Sequence, residues 1–172
     1  MKKLFRTSIF LPLLVLLTAC PYESAVPITD ANKAIDGKLL GKWYKEGEMD
    51  KEYPSEFYKI KKEGENLYQV IKKELNSEDN TYNEEIYTSH ISVLKGPNDK
   101  TYKFLNMEKE GKYYIHRIRL NKERFVLYEV TDNIDEKFNT SPELKAFVKQ
   151  NMHLSFFYNK DEVTYYRGDH KK

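Results

Sequence analysis

Residues 101–131 read TYKFLNMEKEGKYYIHRIRLNKERFVLYEVT, three apolar and aromatic runs parted by two short polar connectors, KEG at 109–111 and NKE at 121–123. Tyrosine, phenylalanine, isoleucine and valine suit the pleated, half-buried surface of a strand, whereas glycine, asparagine, lysine and glutamate in clusters mark turns. The runs Tyr102–Met107, Lys112–Leu120 and Arg124–Thr131 therefore read as strands. Connectors this short join antiparallel neighbours, because a parallel pair needs a crossover of a dozen or more residues. The stretch is a meander.

The same grammar extends in both directions. Leu40–Lys45, Glu56–Lys61, Leu67–Lys73 and Glu85–Leu94 precede it, and His153–Tyr158 and Val163–Arg167 follow, joined mostly by short polar connectors such as KEGEN, NSEDN, KGPNDK and NKDE. One segment breaks the pattern. SPELKAFVKQNM at 141–152 places Leu144, Phe147, Val148 and Met152 on one helical face, with Thr140 and Glu143 at capping-box spacing and Pro142 in the first turn. The expectation is a mainly β protein: about 8–9 antiparallel strands, with one amphipathic helix before a C-terminal hairpin. A closed up-and-down barrel and a two-sheet sandwich both accommodate that count; the short sequential turns, and the need to hide edges in so strand-prone a chain, favour the barrel.

The N-terminus is of another kind. MKKLFR is a basic leader, Ile9–Leu17 is an apolar run too short to span a bilayer, and Leu17-Thr18-Ala19-Cys20 closes it. That ending resembles the lipobox of bacterial lipoproteins. The resemblance implies cleavage before Cys20, the only cysteine in the chain, and its modification with acyl chains such as palmitate. Two chains give stable anchoring where one gives only marginal binding. Domains are thus expected at 1–19 (lipoprotein signal peptide), 20–37 (lipidated N-terminus and tether), 38–168 (barrel) and 169–172 (polar tail). As a free extended chain the tether would reach roughly 55 Å, while its apolar Val26, Ile28 and Ile35 would let part of it pack. Without Lys2, Lys3 and Arg6 the 29 basic residues fall to 26, against 27 acidic ones, so the mature chain carries a formal charge of −1 instead of +2. A near-neutral mixture makes no case for nucleic acid. The expected location is the bacterial cell envelope, at the outer membrane, since Tyr22 does not resemble the aspartate that retains some lipoproteins at the inner one.

LLGKWY at 39–44 holds the only tryptophan in a chain with 14 tyrosines and 9 phenylalanines. It resembles the Gly-x-Trp opening of lipocalins, and more closely the Leu-x-Gly-x-Trp opening of lipocalin-like domains in bacterial lipoproteins. The resemblance implies that Gly41 and Trp43 open the first barrel strand at its closed end and that Arg167, from a late strand, lies across the indole ring. It also implies a single strand after the helix, where the residues here predict two.

About eight strands enclose a space that side chains can just fill or that holds one small ligand. The alternation expected of the strands turns Tyr68, Val70, Ile91, Val93, Ile118, Phe125 and Leu127 inward, as candidate ligand contacts. The adjacent pairs Tyr113/Tyr114 and Tyr165/Tyr166 each place one ring inside and one outside. His90, His116, His153 and His170 show no metal-ligand spacing, and no nucleophile elbow, phosphate loop or His-Glu-x-x-His motif is present. Neither cofactor nor metal is expected, and no catalysis. Two functions remain open: non-catalytic binding of a small apolar or amphipathic molecule by a membrane-anchored barrel, or a packed barrel that docks another envelope protein or a glycan.

Overall fold

The structure, a computed structural model, describes residues 22–131, 133–159 and 162–168. Its strands are β1 (Glu23–Ser24), β2 (Gly41–Lys45), β3 (Glu56–Lys62), β4 (Tyr68–Asn76), β5 (Thr81–Lys95), β6 (Thr101–Lys109), β7 (Lys112–Leu120), β8 (Arg124–Glu129) and β9 (Val163–Arg167), with one α-helix, α1 (Ser141–Asn151). From β2 to β8 each strand pairs antiparallel with the next, and β9 lies between β8 and β2. The result is a closed eight-stranded antiparallel barrel in which each strand pairs with the next in sequence and β9 closes the ring on β2. β8 covers the free edge of β7 only over His116–Leu120, and β1 takes up that edge at Tyr113 and Tyr114.

Strand alternation sorts the side chains into two cores. Inside the barrel, Trp43, Tyr58, Tyr68, Phe125 and Tyr165 pack with aliphatic residues from every wall. Outside, Phe104, Ile115, Val126 and Tyr128 face away from the lumen and are covered by α1 through Leu144, Val148 and Met152. Each such buried side chain contributes about 1.5–3 kcal/mol, so the helix is held by its apolar face. Its N-terminus is satisfied as the spacing predicted, the Thr140 N–H donating to the Glu143 carboxylate at 3.1 Å.

Two expectations are corrected. His153–Tyr158 forms no strand: Ser155–Phe157 make a 3-10 turn, and only Tyr158 touches the sheet, as a single bridge to Val130. Phe157 is buried in the outer core and the Tyr158 hydroxyl donates to the Met152 carbonyl at 2.7 Å, so the chain stays folded against the helix end. One strand follows the helix, as the lipocalin resemblance implies.

The second correction concerns the tether, which is docked from Tyr22 onward. Ile28 is fully buried and donates its N–H to Asn106 Oδ1 at 2.9 Å, and His90 Nε2 meets the Thr29 carbonyl at 2.6 Å. Val26, Ile28 and Ile35 hold apolar sites that a free linker would leave in water. Cys20, the signal segment, and the 169–172 tail lie outside the described residues.

Candidate functional site

The barrel has one sealed end. Trp43 and Arg167 are direct cross-strand partners, and the guanidinium lies 4.6 Å from the indole centroid. Arg167 donates to the carbonyls of Leu40 (2.8 Å), Lys122 (2.9 Å) and Lys38, tying three segments together over the ring. The indole N–H donates to the Leu39 carbonyl at 2.8 Å, and Phe125 meets the ring edge-on at 5.5 Å. Gly41 has φ of 128°, a conformation a side chain would strain, which lets the chain swing from the 3-10 turn at Gly37–Leu39 into β2.

The seven inward candidates all face the lumen. Tyr68, Val70, Ile91, Ile118, Phe125 and Leu127 are between 0% and 5% exposed and belong to one cluster, with Val93 at its margin. They fill one another's space together with Trp43 and Tyr165. Tyr68 also accepts a hydrogen bond from the Asp36 N–H through its hydroxyl.

The opposite mouth is polar. Lys72 lies between Glu74 (2.5 Å) and Glu56 (3.5 Å), Glu85 pairs with Lys109 at 2.7 Å and accepts from Tyr87 at 3.0 Å, and the Tyr165 hydroxyl donates to Glu56. Burial opposes the charge on Lys72, but Glu74 and Glu56 more than offset it and its pKa is raised. His116 points inward above this network. Burial and the nearby Lys72 charge hold its pKa down to about 4, and its Nδ1 has no hydrogen-bond partner among the described residues. Of the other histidines, His90 bonds to the Thr29 carbonyl, His153 lies in the pocket described next, and His170 falls outside the described residues. Among the described residues no group of three or more His, Cys, Asp or Glu side chains is placed to hold a metal ion.

A cavity of about 750 Å³ lies on the outer wall, between β6–β8 and the turn after α1. Strand alternation turns Arg117 and Arg119 outward on β7, and Tyr128 is the direct cross-strand partner of Arg117. The Arg117 guanidinium is 4.8 Å from the Tyr102 ring, 5.0 Å from Tyr128 and 5.3 Å from Tyr158; Arg119 is 4.9 Å from Tyr128. Burial raises the pKa of Tyr158 although Arg117 acts against it. The Tyr128 hydroxyl is buried and has no hydrogen-bond partner among the described residues; burial first, then the neighbouring Glu162 carboxylate, raise its pKa. At the rim Phe156 is 73% exposed.

Nothing in the sequence reading singled out this pocket. Arg117 and Arg119 look like the outward cations of any solvated strand, and the turn that supplies Tyr158 was read as a strand. The only local sign is Arg-Ile-Arg at 117–119 with tyrosines in the adjoining strands. No family model matches this chain, and neither a curated protein nor a solved structure matches it.

Proposed function

We propose that this protein is a lipid-anchored, lipocalin-like binding protein of the bacterial cell envelope, at the outer membrane, which holds a small amphipathic molecule without covalent chemistry on the outer wall of its barrel. The observation that carries this reading is the position of the 750 Å³ cavity, which lies outside the barrel, while the predicted lumen positions are occupied by their own packed side chains. Cavities of about 300–1,000 Å³ suit small-molecule ligands. Both cores lie within residues 22–168, so the soluble chain from residue 21 onward retains the pocket.

Native mass spectrometry of that chain, expressed in a bacterial host, tests the proposal. A co-purifying small molecule is expected, lost when Ser155→Trp fills the pocket. A mass retained at full occupancy in Ser155→Trp refutes the outer-wall location, and finding neither a mass nor binding of lipid probes refutes ligand binding altogether.

A second reading, docking of an envelope protein or glycan, draws support from the opposite wall, where Tyr44, Phe57 and Tyr82 form a row with centroids 5.4 and 5.2 Å apart and Tyr53 is 45% exposed. A photoreactive residue at position 53 should then crosslink to an envelope component in whole cells; absence of any crosslink argues against it.

A further inference from the structure

We infer that the outer-wall pocket selects an anionic headgroup, a carboxylate, phosphate or sulfate carried on an apolar chain, which is received by Arg117 and Arg119. The inference rests on the outer-wall reading and adds the chemistry of the ligand. Three cationic residues, Lys100, Arg117 and Arg119, line the cavity against a single described carboxylate, Glu162. None of the three takes part in an ion pair among the described residues, although lysines elsewhere on the barrel pair with glutamates or an aspartate.

Arg117 and Arg119 are two residues apart on one face of β7, about 7 Å between Cα atoms, and both guanidinium groups lie against the Tyr128 ring. Like charges so placed repel, and an anion between them reverses the sign of that interaction. The guanidinium of Arg117 is held by ring faces and, among the described residues, by no carboxylate. Its planar edge therefore remains suited to the paired hydrogen bonds that carboxylate and phosphate accept. Arg167 shows the contrast: it too lies over an aromatic ring, but each of its three guanidinium nitrogens donates to a backbone carbonyl. The buried Tyr128 hydroxyl, which has no hydrogen-bond acceptor among the described residues, supplies a further hydrogen bond to the same group. Leu154 and the exposed Phe156 extend the lining with apolar surface, where the chain of an amphiphile lies.

Calorimetric titration of the chain from residue 21 with octyl phosphate, octyl glucoside, octyltrimethylammonium and inorganic phosphate tests the inference. Octyl phosphate should bind at least about ten-fold tighter than the other three, and Arg117→Gln or Arg119→Gln should each weaken it by about ten-fold, the range expected for losing a charge-assisted hydrogen bond. Arg119 is exposed, so its variant keeps the test valid if Arg117→Gln does not fold, and Arg124→Gln, outside the pocket lining, should leave binding unchanged. Equal affinity for octyl glucoside overturns the anion preference but spares the outer-wall site. Inorganic phosphate binding as tightly as octyl phosphate overturns the amphiphile, leaving a free-anion site. No binding of any octyl compound overturns both this inference and the function it rests on.

Discussion

Lowering the pH from about 7 to about 5 tests the barrel through one imidazole, His116. Its neighbours across the sheet are Leu105 on β6 and Glu129 on β8, Lys72 adds its charge from the polar network, and only 7% of the residue is exposed. In the unfolded chain the ring takes up a proton near its ordinary value of 6.5; in the folded barrel burial and Lys72 delay this to about 4. The unfolded state therefore binds more protons between those values. The stability linked to His116 is intact above pH 6.5 and is lost as the pH falls toward 4, by about 1.4 kcal/mol per unit and about 3 kcal/mol across the window. That is a large part of the 5–15 kcal/mol typical of a domain.

Urea unfolding, followed by the fluorescence of Trp43 at pH 7.5, 6.5, 5.5 and 5.0, measures the loss. The carboxylates held low by their partners, such as Glu23, Asp36 and Glu85, stay mostly ionised in both states down to about pH 5.5; nearer 5 they add slope of the same sign, which wild type and His116→Leu share. His90, also lowered by burial, acts in the same direction, so His90→Gln should remove part of the slope. His116→Leu should remove about 1 kcal/mol per pH unit between 6 and 5. An unchanged slope in His116→Leu, or a wild-type protein that gains stability on acidification, would refute the reasoning.

Two further outcomes follow from the ends of the chain and of the barrel. Trp43→Ala should destabilise the fold by about 3–5 kcal/mol in urea unfolding, because a fully buried ring is removed and Arg167 loses its platform; a loss below about 1 kcal/mol contradicts a packed closed end. Cys20→Ala should abolish metabolic labelling with a fatty acid analogue and release the protein from the membrane fraction, and unchanged fractionation argues against the lipid anchor.

The strands of the 101–131 meander were legible because their cause is local: turn-forming clusters interrupt runs of β-branched and aromatic residues, and the connectors are too short for any other pairing. The same holds for α1, whose apolar period and cap lie within thirteen residues, Thr140–Met152. The inward set from Tyr68 to Leu127 follows from strand alternation once the strands and their register are placed. β5 is longer than its apolar run, since Thr81–Glu84 pair with β4 beyond that run.

His153–Tyr158 misled for a physical reason. Its aromatic residues fit a strand by propensity, but their burial against the helix end and the Tyr158 bond to Met152 outweigh that preference. The apolar residues Val26, Ile28 and Ile35 mark the segment after Tyr22 as able to pack, but where it docks was not legible because its partners, Asn106 and His90, stand far along the chain. The arginine pocket lies beyond any local reading, since it joins β6, β7, β8 and a turn thirty residues later. By itself the sequence determined strands, turns, the helix and which strand faces are apolar, because those depend on neighbours within a few positions. Only the tertiary structure decided that β9 closes the ring between β8 and β2, that the lumen is filled at its sealed end, and that two outward arginines meet three tyrosines, because each depends on contacts between residues distant in the chain.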